Sequence, residues 1–182
     1  MRTYASTGKR FAAFIIDWYL SSLLGSIPVI LIQSIQKKDL VILNQLEDLS
    51  LPLAWIACIL ALACHFFYYC YLPSKAGKNG MTGQTPGMKL MHLQLLTETE
   101  ETVSLGTLTI RHMLLVVILQ GYLTSSSIYL ISLAQMCTRL YVVPYVQTFY
   151  YAVVLISLGL YFFSKKRQLL QDRLTRTRMY AL

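Results

Sequence analysis

The chain has few charged residues, and this scarcity argues against a water-soluble protein. Only 13% of its 182 residues are charged, whereas 55% are hydrophobic and the mean hydropathy is +0.52. Such a composition is typical of membrane proteins. The segments between the apolar runs are too short to form a separate soluble domain. We therefore predict one domain over residues 1–182, with a helix bundle in lipid as its core.

The sequence also lacks the residue patterns that enzymes and metalloproteins need. Cys58, Cys64 and Cys70 recur every six residues. This spacing turns each cysteine about 240° from the last around a helix, so the three form neither a ligand face nor a disulfide. Residues 83–89 lack the spacing of a phosphate loop. No nucleophile stands beside a base, so we expect no enzyme activity, no cofactor and no metal site.

No aromatic and basic stripe occurs in a polar segment, so the net charge of +8 does not indicate nucleic-acid binding. The lysines and arginines flank the apolar runs instead. Thirteen of the sixteen lie before the first run, in the loop 73–112 or in the tail 164–182. The positive-inside rule therefore predicts that both termini and this loop are cytoplasmic. The basic tail is also expected to bind anionic lipid headgroups.

Four apolar runs are long enough to cross the ~30 Å hydrocarbon core of a bilayer. They cover residues 11–32, 51–72, 113–136 and 145–163. No small-x-small cleavage site follows the first run, so we expect a retained helix and not a signal peptide. The prediction is an all-α membrane protein with a bundle of four transmembrane helices. Segments 90–96 and 102–105 have strand-like composition around an acidic turn, which predicts a small β-hairpin in the cytoplasmic loop.

Asp17 interrupts the first apolar run and needs an explanation. An ionised Asp at the centre of a membrane helix costs roughly 2.5 to 3.5 kcal/mol, so a partner, a proton or a water-lined cavity is expected. Arg10 lies seven residues earlier, which places both side chains on one helix face about 10 Å apart. Asp17 and Arg10 are therefore the first candidates for a functional site.

Polar residues in the other runs provide secondary candidates. His65 lies in the second run, where it could relay protons or hydrogen-bond a neighbouring helix. Three polar residues of the third run share one helix face, and either hydrogen bonds between helices or a hydrophilic path would explain them. Two basic residues of the long loop complete the set. The secondary candidates are Lys89, Arg111, His65, Gln120, Thr124 and Ser127.

Three stretches resemble the RDD family of bacterial membrane proteins, named for one arginine and two aspartates. They are Arg10-Phe-Ala-Ala-Phe-Ile-Ile-Asp17, Gly83-Gln-Thr-Pro-Gly-Met-Lys89 and Gln171-Asp172-Arg-Leu-Thr-Arg-Thr177. The resemblance implies that Arg10, Asp17 and Asp172 form a signature triad in a multi-pass protein of the inner membrane. Gln171 stands where the family often has His, and Met88 separates Gly87 from Lys89.

Two functions remain open from the sequence. In the first, Asp17 exchanges a proton for a monovalent cation, and Arg10 and Asp172 form a charged gate at the cytoplasmic boundary. Because four helices seldom enclose a transport path, this hypothesis implies a homodimer. In the second, the chain is a non-catalytic scaffold or assembly partner, and the triad is a structural cluster. In both hypotheses we expect the three side chains of the triad, or at least Arg10 with one aspartate, to converge between the first and fourth helices near the cytoplasmic boundary.

Overall fold

A computed structural model describes residues 3–38, 45–75, 82–119, 121, 124–138, 143–163 and 168–182. These residues are mostly helical. In chain order the elements are α1 (Thr7–Lys37), α2 (Leu51–Ser74), α3 (Pro86–Leu90), β1 (Leu93–Thr97), α4 (Leu105–Leu119), α5 (Ser125–Thr138), α6 (Val143–Phe163), α7 (Leu170–Leu174) and β2 (Thr177–Ala181). Ser6 caps α1 by accepting a hydrogen bond from the Lys9 amide, and α2 widens into a π-helical turn at Phe67–Tyr71.

Within the described residues, three helices are long and apolar enough to cross a membrane. They are α1, α2 and α6, with 31, 24 and 21 residues. These helices include the predicted runs 11–32, 51–72 and 145–163. Their length and composition fit an integral membrane protein.

The predicted third span, residues 113–136, is not one continuous helix. It is divided between α4 and α5, and residues 120, 122 and 123 between them lie outside the described part. Thr124 accepts a hydrogen bond from the Ser127 amide and so caps the start of α5. The Ser127 hydroxyl donates to the Val117 carbonyl at 2.9 Å, which satisfies a backbone group near the end of α4. Polar side chains thus hold a helix break that the apolar pattern alone did not reveal.

Helices α1 and α2 pack through small and polar side chains. Every fourth residue on one face of α1 is buried, and α2 presents alanines and a cysteine. Small side chains allow two helix backbones to approach closely in a membrane. The buried residues are Ala13, Asp17, Ser21, Gly25, Val29 and Gln33 on α1, and Ala54, Ala57, Cys58, Ala61 and His65 on α2.

The two strands form an antiparallel sheet that the hairpin prediction did not anticipate. Strand β1 pairs with β2 from the C-terminal tail, in the register Leu93 to Ala181 through Thr97 to Thr177. The predicted second arm, residues 102–105, makes only an isolated bridge, Leu96 to Thr102, before α4 begins. The hairpin prediction was therefore right about the first strand and wrong about its partner, because the partner comes from a distant part of the sequence.

The N-terminal segment joins this sheet at its outer edge. Ala5 donates to the Met179 carbonyl at 3.2 Å, and Ala181 donates to the Thr3 carbonyl at 2.9 Å. On the other side of the sheet, the Leu95 amide donates to the Gly83 carbonyl at 3.0 Å. We call residues 3–5, 82–104 and 168–182 together the cap. The cap joins both ends of the chain to the loop that follows α2.

Candidate functional site

Asp17 is buried on α1 and accepts hydrogen bonds from three donors. Its Oδ1 accepts from the Tyr68 hydroxyl at 2.7 Å and from the Gly87 amide at 2.8 Å, and its Oδ2 accepts from the Thr85 hydroxyl. We call Asp17, Tyr68, Thr85 and Gly87 the Asp17 cluster. Because both carboxylate oxygens accept hydrogen bonds, the cluster connects α2 and the start of α3 to α1.

Glycine is required at position 87 because the backbone there lies against α1. A Cβ atom on Gly87 would lie 2.6 Å from the Ala13 carbonyl oxygen and 2.8 Å from Asp17 Cγ. Thr85 caps α3 by accepting a hydrogen bond from the Met88 amide at 3.3 Å. The sequence Thr85-Pro-Gly87 therefore combines a helix cap, a helix start and a close backbone approach, and together these aim the donors at Asp17.

Asp172 lies on α7 and is fully buried between two arginines. Arg10 Nη2 donates to Asp172 Oδ2 at 3.1 Å, and Arg111 Nη1 donates to Oδ1. Arg111 also donates to the Thr177 hydroxyl at 2.7 Å. We call Asp172, Arg10, Arg111 and Thr177 the Asp172 cluster. It fastens the C-terminal tail to α1 and α4.

The predicted triad is therefore divided between two clusters. Arg10 meets Asp172, and its guanidinium also lies 5.5 Å from the centre of the Tyr161 ring on α6. Asp17 instead contacts Tyr68 of α2 and the start of α3 at Thr85 and Gly87. The expectation that Arg10 and Asp17 share a helix face was reasonable, but each of these side chains finds its partner in another part of the chain.

A search with family sequence models matched the RDD family over residues 4–176. The chain belongs to the RDD family. No curated protein and no solved structure matched it. The match covers nearly the whole chain and includes every residue of both clusters except Thr177, so the two groups of contacts connect the segments that carry the RDD signature.

His65, a secondary candidate in this RDD chain, lies in a buried group of rings next to the Asp17 cluster. The His65 and Tyr69 ring centres are 4.7 Å apart, and Tyr69 stacks on His112 of α4 at 4.8 Å. The Tyr69 hydroxyl is 3.1 Å from the Ser21 hydroxyl. Within the described residues, His65 Nε2 is buried and has no hydrogen-bond partner. No three of the described His, Cys, Asp and Glu residues are placed to hold a metal ion.

The remaining secondary candidates have different surroundings. Lys89 is exposed on α3, whereas Arg111 is buried against Asp172. Thr124 and Ser127 hold the break between α4 and α5 instead of forming a stripe on one helix. Gln120 lies outside the described residues.

Several cluster residues were missed as candidates. Tyr68 was not among the candidates, and Thr85 and Gly87 were considered only as members of the stretch 83–89. The RDD-like stretch at 83–89 contained the available signal, because its threonine and second glycine are the residues that bond to Asp17. Thr177 likewise ends the RDD-like stretch of the tail.

Proposed function

We propose that this RDD-family chain is a non-catalytic membrane scaffold or assembly partner whose signature residues brace its cap. One observation carries the proposal: both signature carboxylates are already satisfied by donors from the chain itself. Asp17 accepts from a tyrosine, a threonine and a backbone amide, and Asp172 accepts from two arginines. Buried carboxylates with such partners join segments to one another.

The surroundings of Asp17 favour this role over cation binding. A monovalent cation needs several oxygen acceptors around it, whereas the atoms that face Asp17 are the donors of Tyr68, Thr85 and Gly87. The Thr85 oxygen also accepts from the Met88 amide. A cation could reach the carboxylate only if the loop that contains Thr85 first moved away.

The turn at residues 97–101 of the cap is held in place by hydrogen bonds and is the surface that we propose for a partner. The Glu98 amide donates to the Arg176 carbonyl at 2.9 Å, and the Glu101 amide donates to the Thr97 hydroxyl at 3.0 Å. The side chains of Glu100 and Glu101 are exposed. An exposed turn held by backbone hydrogen bonds can bind a partner without a large loss of conformational entropy.

Site-specific crosslinking in the native membrane tests the scaffold role. A photo-crosslinking residue is placed at Glu100 in the cap, and a control is placed at Leu155 on α6, whose side chain is 68% exposed. We expect a protein other than the chain itself to be captured at Glu100 and not at Leu155, and to be identified by mass spectrometry. Capture of only a second copy, or equal capture at both positions, would contradict the proposal.

We also propose that α4 and α5 together make a fourth membrane crossing. The cap holds residues 3–5 beside β2, so both ends of the chain lie at one end of the molecule. Three crossings would place the two ends on opposite sides of the membrane, so the number must be even. Arg111 of α4 lies at the cap with Asp172, while Tyr129 and Leu133 of α5 pack in one cluster with Val29 of α1 and Leu46, farther along the bundle. The distribution of basic residues supports a cytoplasmic cap in the inner membrane.

Transport of protons or monovalent cations is the second candidate. It is favoured by His65, which lies beside Tyr69 and whose buried Nε2 has no hydrogen-bond partner among the described residues, because an intramembrane imidazole can relay protons. Four helices would then need a second copy to enclose a path. Cation-driven dequenching of a pH dye in vesicles tests this candidate, and equal signals from the wild type and Asp17→Asn would contradict it.

A further inference from the structure

Two buried histidines contact the ring of the same tyrosine. The ring centres of His65 and Tyr69, both on α2, are 4.7 Å apart, and those of Tyr69 and His112 of α4 are 4.8 Å apart. All three residues are at most 9% exposed, and we call them the ring group. Tyr69 lies in the π-helical turn Phe67–Tyr71, and His112 lies in a π-helical part of α4, Ile110–Leu119. The ring group therefore joins α2 to α4 where both helices depart from regular geometry, as helices often do at functional sites.

The surroundings of the ring group do not favour an added positive charge. His65 Nε2 is buried and has no hydrogen-bond partner among the described residues. Arg111, next to His112 on α4, pairs with Asp172, and its positive charge still acts on His112. The charge of Asp17 on α1 reaches the ring group, but both oxygens of that carboxylate accept hydrogen bonds within the Asp17 cluster. A protonated His65 would therefore have no acceptor at Nε2 among the groups that the structure describes.

The other side chains around the ring group are uncharged near neutral pH. The Ser21 hydroxyl of α1 lies 3.1 Å from the Tyr69 hydroxyl. The same buried core contains Tyr68 and Cys70 of α2, Met88 of α3, and Leu93 and Leu95 of β1. Elsewhere on α1, α3 and β2 the charged side chains are exposed or paired, namely Lys9, Arg10, Lys37, Lys89 and Arg178. Because a buried charge without a partner is strongly unfavourable, a proton on the ring group opposes the packing of α4 on α2.

We propose that the ring group is a pH-sensitive contact, which holds α4 on α2 while both imidazoles are neutral and releases α4 when they bind protons. Imidazole is the side chain that ordinarily titrates between about pH 5 and 8. In the closed form the rings are packed, whereas in the open form water solvates the imidazoles and they bind protons as free histidines do. Acid therefore favours the open form and loosens α4, and with it the contact of Arg111 with Asp172 in the cap. The contact goes beyond the scaffold role and needs no protein partner.

Amide hydrogen exchange of the purified full-length chain in detergent tests the contact at about pH 8 and about pH 5. Protection factors, corrected for the pH dependence of intrinsic exchange, report the population of the open form. A histidine that binds a proton only in the open form should raise that population about 30-fold between the two pH values, because a free imidazole titrates near pH 6.5. We expect the loss of protection in residues 65–72 and 108–119 and not in residues 54–61 of α2. Unchanged protection, or an equal loss in all three segments, would overturn the proposal.

Histidine variants separate this contact from other acid-sensitive groups. His65→Phe and His112→Phe keep a ring but cannot bind a proton, and each alone should reduce the pH effect by about 30-fold. His92→Gln is the matched control and should retain the whole effect, because His92 is the third histidine of the chain and is exposed. Asp17→Asn is measured beside them, since a buried carboxylate also binds a proton as the pH falls. The whole pH effect in both phenylalanine variants, or its loss in Asp17→Asn alone, would overturn the proposal without bearing on the crosslinking at Glu100.

Discussion

At the residue scale, the two arginines of the Asp172 cluster do not contribute equally. The Arg111 side chain is 3% exposed and that of Arg10 is 14% exposed, and both donate to the same fully buried carboxylate. Loss of one arginine leaves Asp172 paired with the other. Loss of Asp172 removes the carboxylate that both guanidinium groups share. Asp172 is therefore the residue whose removal should destabilise the cap most.

We predict that Asp172→Asn lowers the free energy of unfolding by about 3–5 kcal/mol, the usual cost of breaking a buried ion pair. Arg10→Gln should cost less, because Arg111 still neutralises Asp172. Thermal unfolding in detergent, followed through Trp18 on α1 and Trp55 on α2, measures both variants. Arg176→Gln is the control and should change little. A larger loss from Arg10→Gln than from Asp172→Asn would contradict this assignment.

The division of the triad can be tested by combining substitutions. Residues that share partners give non-additive changes in stability, and separate sites give additive ones. We predict that Arg10→Gln and Asp172→Asn are coupled by about 0.5–3 kcal/mol, whereas Arg10→Gln and Asp17→Asn add within about 0.5 kcal/mol. Unfolding measurements on the three single and two double variants, together with the wild type, suffice. Coupling between Arg10 and Asp17 would restore the single-site interpretation of the triad.

Gly87 is the second residue on which the Asp17 cluster depends. We predict that Gly87→Ala costs about 1–3 kcal/mol, as overpacking does, because the new Cβ would press on Ala13 and Asp17. Faster proteolysis of the loop 82–104 should accompany the loss. Gly8→Ala is the matched control, since Gly8 has open space around it. If the two substitutions behave alike, the backbone of the loop does not lie against α1.

The sequence identified the residues of the site better than it identified their partners. Asp17 was recognisable because a charge in an apolar run is costly, and spacing then suggested Arg10, its neighbour on the same helix. The true partners, Tyr68 and Gly87, lie 51 and 70 residues away in the sequence. Helical periodicity relates residues within one element and carries no information about contacts between distant elements.

At the element scale, the same lack of information about distant contacts explains why the partner of β1 and the break in the third span were not predicted. The strand-like composition of 90–96 predicted a strand where β1 (Leu93–Thr97) lies, but its partner β2 begins 80 residues after β1 ends, beyond the nearest turn. The run 113–136 is apolar over most of its length, and hydropathy alone cannot distinguish one helix from two half-helices. Thr124 and Ser127 hold the break, but together with Gln120 they have spacings of four and three and so fitted a polar face of one helix equally well.

The break between α4 and α5 gives a prediction at the element scale. Ser127→Ala removes the donor to the Val117 carbonyl and leaves that buried group unsatisfied, so we expect a loss of about 1–3 kcal/mol. Amide hydrogen exchange should increase near the end of α4 and the start of α5. Ser125→Ala serves as the control, because Ser125 lies two residues before Ser127 and is only partly buried. Unchanged exchange in Ser127→Ala would mean that another contact holds the break.

At the scale of the whole molecule, the cap constrains how the chain crosses the membrane. Three helices are individually long enough to cross, yet the cap holds the N-terminal segment beside the C-terminal strand. In the topology that we propose, the broken pair α4 and α5 supplies the remaining crossing. The pair runs from Arg111, which contacts Asp172 of the cap, towards Cys137 near the far end of α5, and Leu133 of α5 packs with Val29 of α1.

Labelling of the native cysteines tests this topology directly. Cys137 is exposed, whereas Cys58 and Cys70 are buried and Cys64 is partly buried. We predict that an impermeant maleimide labels the wild type in intact cells and that Cys137→Ser abolishes the label. In the Cys137→Ser background, Glu100→Cys in the cap should react only after the membrane is permeabilised. If α4 and α5 instead turned back without crossing, Cys137 would lie on the same side as Glu100. Both positions would then show the same accessibility, and the four-crossing topology would be wrong.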